Sequence, residues 1–311
     1  MYNEADNIFV FYEKVVSVLE ILGLPFEIIC VNDGSKDNTL ELLLSLREKD
    51  SRIIIIDLSR NFGKEIALSA GIDFAHGEAI IPIDADLQDP PELIPELVAK
   101  WREGYDVVYA TRTQREGETF LKKITSHVFY RTIRLLTMFD IPMDTGDFRL
   151  MDKRVVISLK KLREQHRFMK GLFSWVGFKQ VSVPYHREPR FAGKSKWNYW
   201  KLWNFALEGI TSFSYAPLKL ATYFGLFVAF FSFIYGAYLL ITTFLYGNPV
   251  PGYPSLMVII LFLGGVQLLA IGMIGEYIGR TYNESKHRPL YIVREKYGVN
   301  NITLKKISKD F

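Results

Sequence analysis

Apolar and charged positions are distributed in two different ways along this chain of 311 residues. Over residues 1–200, short apolar runs alternate with charged segments, which is the pattern of a water-soluble domain. Residues 217–280 are almost free of charge. The two parts therefore face different solvents, and we predict a globular domain followed by a membrane anchor.

The first part repeats a rhythm of short β-branched runs, turn residues and helical stretches. The predicted strands are 26–31, 52–56, 79–83 and 106–110, and the predicted helices are 38–49, 64–75, 90–103 and 120–139. This alternation predicts an α/β fold with a mainly parallel sheet and helices on both faces. Ligands of such sheets bind beyond the carboxyl ends of the strands. The polar clusters at 32–37 and 84–89 fall at those ends.

Two uncharged runs predict membrane-spanning helices. Residues 220–246 and 256–275 carry no charge, and each run has at least the roughly 20 residues that a bilayer requires. The short turn between them has no Lys or Arg, whereas basic residues flank both outer ends. The positive-inside rule then places both flanks in the cytoplasm. A buried hairpin in a soluble protein is the alternative.

Trp197, Trp200 and Trp203 recur at helical spacing ahead of the first run, beside Lys196 and Lys201. This pattern predicts an amphipathic helix at the membrane interface. Packing of the same helix against the protein core is the alternative.

The charge balance and the single cysteine narrow the function classes. A formal charge of +4 is too small a bias to indicate a nucleic-acid partner, and the basic residues around the apolar runs suit an anionic membrane surface instead. Cys30 lies inside an apolar run, which predicts a small buried residue. The N-terminus has no signal-peptide pattern, so we expect the first part to stay in the cytoplasm.

Asp84-Ala85-Asp86 follows a predicted strand and carries the clearest candidate chemistry. Two carboxylates at a strand end can hold Mg²⁺ or Mn²⁺ together with a diphosphate, and Gln88 can add a carbonyl oxygen. A solvated loop is the alternative for such a pair.

Two further loops contain candidate ligands. In the 32–37 loop, Gly34 permits a tight turn, Asp33 can accept a hydrogen bond from a base, and Ser35 or Asp37 can bind ribose or cap the next helix. Lys64 stands near a helix start and can meet phosphate; a solvated lysine is the alternative.

In combination, these motifs resemble family-two GT-A glycosyltransferases, and more narrowly the dolichyl- and undecaprenyl-phosphate sugar transferases of the bacterial GtrB-like branch. The segments that carry the resemblance are Tyr2-Asn3-Glu4, 31–35, 59–64, 84–92, 110–112, 146–151, 167–171, Lys196-Trp197 and the two apolar runs. Together they extend over nearly the whole chain.

The resemblance implies a role for each matching residue. The donor would be bound by Asn3, Glu4, Asp33, Ser35, Lys64 and Asp84, and the metal by Asp84, Asp86 and Gln88. The acceptor phosphate would meet Arg112, Lys122, Ser126 and Arg190. Asp147 would be the catalytic carboxylate, assisted by Arg112 and Arg190.

The resemblance also implies a reaction and a domain layout. A sugar, with glucose from UDP-glucose as the first expectation, would pass with inversion to a polyisoprenyl phosphate at the cytoplasmic face of the plasma membrane, for modification of cell-envelope glycans. GDP-mannose, UDP-N-acetylglucosamine and aminoarabinose derivatives are the alternative donors. A homo-oligomer and a downstream flippase are expected partners. The layout is a GT-A domain over 1–190, a loop and interfacial helix over 191–216, a hairpin over 217–280 and a cytoplasmic tail over 281–311.

Two other functions fit the same catalytic motifs. A processive polysaccharide synthase would carry a Gln-x-x-Arg-Trp motif and more spans, and this sequence has no Arg-Trp dipeptide. A catalytically inactive, membrane-tethered nucleotide-sugar-binding subunit is the second alternative. The family also has an apolar strand before Tyr-Asn-Glu, where the given sequence begins, so we expect the central sheet to lack one strand.

Overall fold

The computed structural model describes residues 1–112, 142, 145–185, 214, 216–247 and 252–299. The chain forms two compact units, one made of Met1–Ala206 with Arg288–Phe311 and the other of Leu207–His287. Each unit is considered by itself below.

The first unit alternates strands with helices, as predicted. Its strands are β1 (Ile28–Asn32), β2 (Ile53–Leu58), β3 (Ala79–Ile80), β4 (Val107–Arg112), β5 (Thr145–Asp152), β6 (Gln180–Tyr185) and β7 (Val293–Tyr297). Its helices are α1 (Ile8–Leu22), α2 (Thr39–Lys49), α3 (Lys64–Phe74), α4 (Ile94–Arg102), α5 (Lys153–Lys160) and α6 (Met169–Trp175), with a 3₁₀ turn at Pro91–Leu93.

The strands form two sheets, in the orders β1-β2-β7 and β3-β5-β4-β6. Strands β1 and β2 are parallel, as are β4 and β6, whereas the pairs β2–β7, β3–β5 and β4–β5 are antiparallel. The α/β class is therefore confirmed, but the described sheets are mixed and not mainly parallel. The prediction used only the first four strand–helix repeats, and both strands that bring antiparallel pairing, β5 and β7, follow them in the chain.

Helices cover both faces of the first sheet because successive residues of β2 point to opposite sides. Ile53 and Ile55 pack with Leu43 and Leu46 of α2, together with Cys30, which is buried as predicted. On the other face, Ile56 and Leu58 of β2 pack with residues of α3. The predicted helices on both faces are thus confirmed for this sheet. The second sheet has its own core, where Phe148, Leu150 and Val108 pack against Leu97 of α4.

Strand β7 follows the apolar hairpin in the sequence and returns to the first sheet, where it pairs with β2. The Ser59 N–H donates to the carbonyl of Ile292 at 2.9 Å, and the Tyr291 hydroxyl donates to Asp73 at 2.9 Å. The sequence predicts a cytoplasmic tail over 281–311 and assigns no strand to it, whereas the structure forms β7 within it. Val-Arg-Glu-Lys-Tyr is a charged sequence, and charges of this kind are typical of strands at a sheet edge.

A cavity, called the slot below, separates the two sheets where β1 and β3 face each other. The cavity measures about 1310 Å³, and apolar residues of both edges line it, including Ile29 and Ile81. At one end, the Met1 α-ammonium donates to the Val31 carbonyl at 2.8 Å, and the Asp33 N–H donates to the Met1 carbonyl at 2.8 Å. These two bonds form one rung of a parallel ladder on the edge of β1 that faces away from β2.

In its described residues, the second unit contains α7 (Ala216–Tyr246) and α8 (Tyr253–Ser285). Both predicted apolar runs are thus helical, and most of their described large apolar side chains are exposed. The candidate membrane spans are Leu218–Tyr246 and Val258–Ser285, so the second helix continues beyond the predicted end at 275. In that extension, Glu276 accepts a hydrogen bond from Arg280 at 3.1 Å. The predicted interfacial helix with Trp197, Trp200 and Trp203 lies outside the described residues.

We expect an apolar strand fused ahead of Met1 to occupy the slot and stabilise the first unit. An extended segment of about six residues would bury apolar side chains and satisfy main-chain groups of the β1 edge. The apparent Tm of the fused protein in detergent should rise by roughly 2–8 °C, as about 1–2 kcal/mol of stabilisation predicts for a unit of this size. A Gly-Ser segment of equal length is the control, and equal Tm values for the two fusions would contradict this use of the slot.

Candidate active site

The polar end of this cavity collects residues from five separate segments of the chain. It is lined by Glu4, Asp33, Lys64, Asp84, Asp86 and Asp147. All six were predicted as donor, metal or catalytic residues, so the fold brings these three groups together in one place.

Lys64 lies at the centre of the cluster. Its Nζ is 2.6 Å from Asp84 Oδ2 and 2.7 Å from Asp147 Oδ2. It is the first residue of α3, and the Lys64 side chain remains half-exposed while that of Asp147 is only 11% exposed. One ammonium therefore bridges the predicted metal-binding loop and the predicted catalytic carboxylate.

The charges of the cluster set the protonation of Asp147. Burial by itself would raise the pKa of this carboxyl, but the positive charges of Lys64 and Lys170 outweigh burial and lower it. Partial desolvation lowers the pKa of Lys64, and the two carboxylates more than reverse that effect. The site thus contains an ionised carboxylate and a protonated amine at neutral pH. The other oxygen of Asp147, Oδ1, is buried and has no hydrogen-bond partner within the described part of the chain.

Glu65, next to this pair, had no role in the sequence interpretation. Its carboxylate accepts the Met169 N–H at 2.9 Å, which ties the start of α3 to the start of α6. Burial, and then the nearby charge of Asp147, raise the pKa of Glu65 to about 7. The only signal in the sequence was its position directly after Lys64.

The loop after β1 is held against the loop after β2. Asp33 Oδ1 accepts the Phe62 N–H at 2.7 Å, and Asp33 Oδ2 accepts the Gly63 N–H at 3.0 Å. Gly34 has φ +63°, and a Cβ there would lie 2.4 Å from the Arg60 carbonyl carbon, so no other residue fits without a shift. Both oxygens of Asp33 are therefore used to hold the two loops together. Its contact with the nucleotide stays a prediction.

Hydrogen bonds connect Asn3 with Ser35 and Lys36 of the loop after β1. The Asn3 N–H donates to Ser35 Oγ at 3.0 Å, and the Lys36 N–H donates to Asn3 Oδ1 at 2.9 Å. The Glu4 N–H donates to Thr39 Oγ1 at 3.0 Å. These predicted donor residues thus lie together, although their contacts with a ligand stay predictions. The Asp37 carboxylate accepts the Thr39 N–H at 3.1 Å, in line with the capping alternative.

The predicted metal-binding loop has a fixed backbone. Leu87 is buried and adopts φ +59°, and the Gln88 N–H donates to Asp86 Oδ1 at 3.2 Å. No group of three or more His, Cys, Asp or Glu side chains is arranged for a metal within the described ranges. Two carboxylates still fit Mg²⁺ or Mn²⁺, because Mg²⁺ is usually held by one or two protein carboxylates and completed by waters and substrate phosphates.

Of the predicted acceptor-binding residues, Arg112 is the one that the structure places. It ends β4, and a Cβ on Gly146 would lie 3.4 Å from its Nη2. Because β5 runs antiparallel to β4, the end of β4 lies beside the start of β5 and therefore near Asp147. Lys122, Ser126 and Arg190 lie outside the described residues, so their roles stay predictions.

Comparison with known proteins assigns the chain to a family. The family model for glycosyl transferase family 2 matches residues 1–159, and the model for the GtrB C-terminal hairpin matches residues 216–281. The chain belongs to glycosyltransferase family 2. An uncharacterized glycosyltransferase of Synechocystis is 58% identical over 99% of this chain and 97% of its own length.

Two relatives carry more specific names. The bactoprenol glucosyl transferase of Shigella phage SfV is 52% identical over 95% of this chain and 96% of its own length. The prophage bactoprenol glucosyl transferase homolog of Escherichia coli is 50% identical over 94% of this chain and 96% of its own length. The family resemblance expected from the motifs is confirmed, as are the GT-A fold and glycosyltransferase activity.

Similarity to solved structures is distant. TarS of Staphylococcus aureus gives a TM-score of 0.41 at 14% identity, covering 59% of this chain and 56% of its own. The mannosyltransferase PcManGT of Pyrobaculum calidifontis, in complex with GDP-Man and Mn²⁺, gives a TM-score of 0.41 at 14% identity. The match covers 89% of this chain and 85% of PcManGT. Family membership rests on the sequence relatives.

Lys64→Met is expected to move the acid limb of the pH–activity profile to higher pH. Lys64 is the positive charge that lowers the pKa of Asp147 most, and without it only Lys170 and Arg149 oppose burial, so the pKa of Asp147 rises and its ionised form is lost at a higher pH. The residual kcat/KM against pH, and the infrared titration of the carboxyl, both report the shift. The exposed Lys49→Met is the matched control. A pH profile and a carboxyl titration that match those of the unmodified enzyme would remove Lys64 from this role.

Proposed function

We propose that this glycosyltransferase moves glucose from UDP-glucose to a polyisoprenyl phosphate at the cytoplasmic face of the plasma membrane. The observation that carries the proposal is similarity at about 50% identity, over nearly the full length, to proteins named bactoprenol glucosyl transferase. That similarity includes the C-terminal hairpin as well as the glycosyltransferase part of the chain.

The donor lies at the polar end of the cavity in this proposal. Asn3, Glu4, Asp33 and Ser35 belong to the two loops that would receive the nucleotide. Asp84, Asp86 and Gln88 would hold the divalent metal, which when bound stabilises negative charge on the leaving diphosphate. Lys64, at the N-terminus of an 11-residue helix, adds a cation and helix-end N–H groups that favour phosphate.

Transfer proceeds by displacement at the anomeric carbon. An oxygen of the acceptor phosphate forms a bond to this carbon from the side opposite the diphosphate. The bond between the carbon and the diphosphate breaks, UDP leaves with the electron pair, and the anomeric configuration inverts.

The acceptor phosphate is already ionised and nucleophilic, and we infer the role of Asp147 from this property. A phosphate monoester is largely ionised near pH 7, so its attack does not require a strong base. Since the pKa of Asp147 is lowered, this carboxylate is a weak proton acceptor. We therefore assign Asp147 to holding Lys64 and orienting the sugar. Arg112, with Lys122, Ser126 and Arg190, would bind the acceptor phosphate, which suits the planar guanidinium group.

The helical hairpin explains how an enzyme of this kind meets its acceptor. The isoprenoid chain lies in the bilayer and its phosphate at the surface, so an anchored enzyme encounters the acceptor at a fixed depth. Two spans with both ends in the cytoplasm fit the positive-inside pattern of the flanking residues.

A donor screen with undecaprenyl phosphate tests the proposal directly. The full-length protein in detergent receives UDP-glucose, GDP-mannose or UDP-N-acetylglucosamine, and the lipid extract is analysed by mass. We expect a hexosyl phospholipid with UDP-glucose. Product from another donor alone would overturn the assignment of glucose, and no product from any donor would favour the inactive binding subunit.

Asp86→Ala is expected to reduce transfer by roughly a hundredfold or more while the fold remains intact, because the loss of a metal-holding group removes electrostatic stabilisation of the leaving diphosphate. Initial rates at several Mn²⁺ concentrations and the thermal transition should be measured together. The exposed Asp6→Ala is the matched control. Full activity of Asp86→Ala with an unchanged metal requirement would reject the metal assignment.

A further inference from the structure

A chain of hydrogen bonds links the metal-binding loop to Arg112. The Tyr185 hydroxyl donates to Asp89 Oδ1 at 2.6 Å, and Arg112 Nε donates to the Tyr185 oxygen at 3.4 Å. Asp89 is 4% exposed and Tyr185 is 5% exposed. Asp89 directly follows the Asp84–Gln88 loop, so the chain begins where that loop ends.

The fold fixes each member of this chain. Arg112 and Tyr185 are the last residues of β4 and β6 and stand opposite each other in their parallel register. The ring of Phe148 packs edge-on against Tyr185, with 6.5 Å between ring centroids. A Cβ on Gly146 would lie 3.4 Å from Arg112 Nη2 and 4.0 Å from Asp89 Oδ2, so the residue before Asp147 packs against both ends.

The direction of the hydrogen bonds is fixed as well. Burial, followed by the adjacent charge of Asp89, raises the pKa of Tyr185 to about 12. The phenol therefore keeps its proton and donates a hydrogen bond to Asp89. Its oxygen then accepts from Arg112, whose guanidinium group can only donate.

We propose that Asp89 and Tyr185 are positioning residues that set the guanidinium group of Arg112 at a fixed place relative to the metal-binding loop. This inference rests on the proposed function, in which that loop holds the donor diphosphate and Arg112 holds the acceptor phosphate. In-line attack requires the two phosphates to be placed relative to each other, and small displacements slow such reactions strongly. The hydrogen-bonded side chains of Asp89, Tyr185 and Arg112 form a relay that couples the two binding sites.

A purely structural role of Tyr185 predicts a different result from a positioning role. If Tyr185 only fills the core, removing its hydroxyl lowers stability and alters donor and acceptor use alike. If it positions Arg112, the change is confined to the acceptor and depends on Arg112 being present.

Tyr185→Phe keeps the ring and removes the hydroxyl, so it separates the two roles. We expect the KM for undecaprenyl phosphate to rise roughly three- to tenfold, as the loss of one hydrogen bond predicts. The KM for UDP-glucose should stay close to that of the unmodified enzyme, although the apparent Tm falls because the buried Asp89 carboxylate loses one hydrogen bond. Tyr12→Phe is the matched control, because the Tyr12 hydroxyl donates to Asp50 at 2.9 Å in another part of the same unit.

A double-mutant cycle completes the test. Arg112→Ala alone should raise the acceptor KM, and adding Tyr185→Phe to it should raise that KM no further, because the residue being positioned is gone. Additive effects, or equal changes in the donor and acceptor KM, would overturn the relay while leaving the proposed function intact. Absence of transfer by the unmodified enzyme would overturn the proposed function, and this inference with it.

Discussion

Asp84 and Asp147 come from distant parts of the chain, and the ammonium group of Lys64 lies between their carboxylates at 2.6 and 2.7 Å. Two carboxylates this close to one another repel, and for a buried Asp147 the charged form is also disfavoured by desolvation. The shared cation offsets both effects. The ionisation of Asp147 therefore depends mainly on Lys64, with Lys170 contributing, and Lys64 also joins the predicted metal-binding loop to β5.

The position of Lys64 depends in turn on how the preceding turn is built. Asp33 accepts the N–H groups of Phe62 and Gly63, and Gly34 allows the Arg60–Asn61 peptide to pack directly on the loop after β1. The motif residues 33, 34 and 63 thus shape the candidate site through contacts with the backbone. The geometry of the loop therefore accounts for their presence in the motif, and contact with a nucleotide stays a prediction.

The first unit is built from two segments of the chain, one that precedes the apolar hairpin in the sequence and one that follows it. Strand β7 completes the first sheet at β2, and Arg294 on it lies 3.5 Å from the buried Asp57, which accepts a hydrogen bond from Asn32 at the end of β1. The end of β1, where the predicted donor-binding loop begins, is therefore supported by a residue that follows the hairpin. On the opposite edge of β1, the slot toward β3 leaves the two sheets apart.

The sequence by itself determined the α/β alternation, the two apolar helices, the family and the loops that carry the site, because these depend on local periodicity and on short motifs. It identified Asp33, Lys64, Asp84, Asp86 and Asp147, which meet at one cavity end. The antiparallel direction of β5, the return of β7 and the contact of Tyr185 with Asp89 were decided by the tertiary structure alone. Tyr185 and Asp89 are 96 residues apart and share no motif, so only the register of β4 with β6 and the course of the metal-binding loop bring them together. Long-range pairing of this kind leaves no periodic signal in the chain, because its energy arises only when separate elements pack.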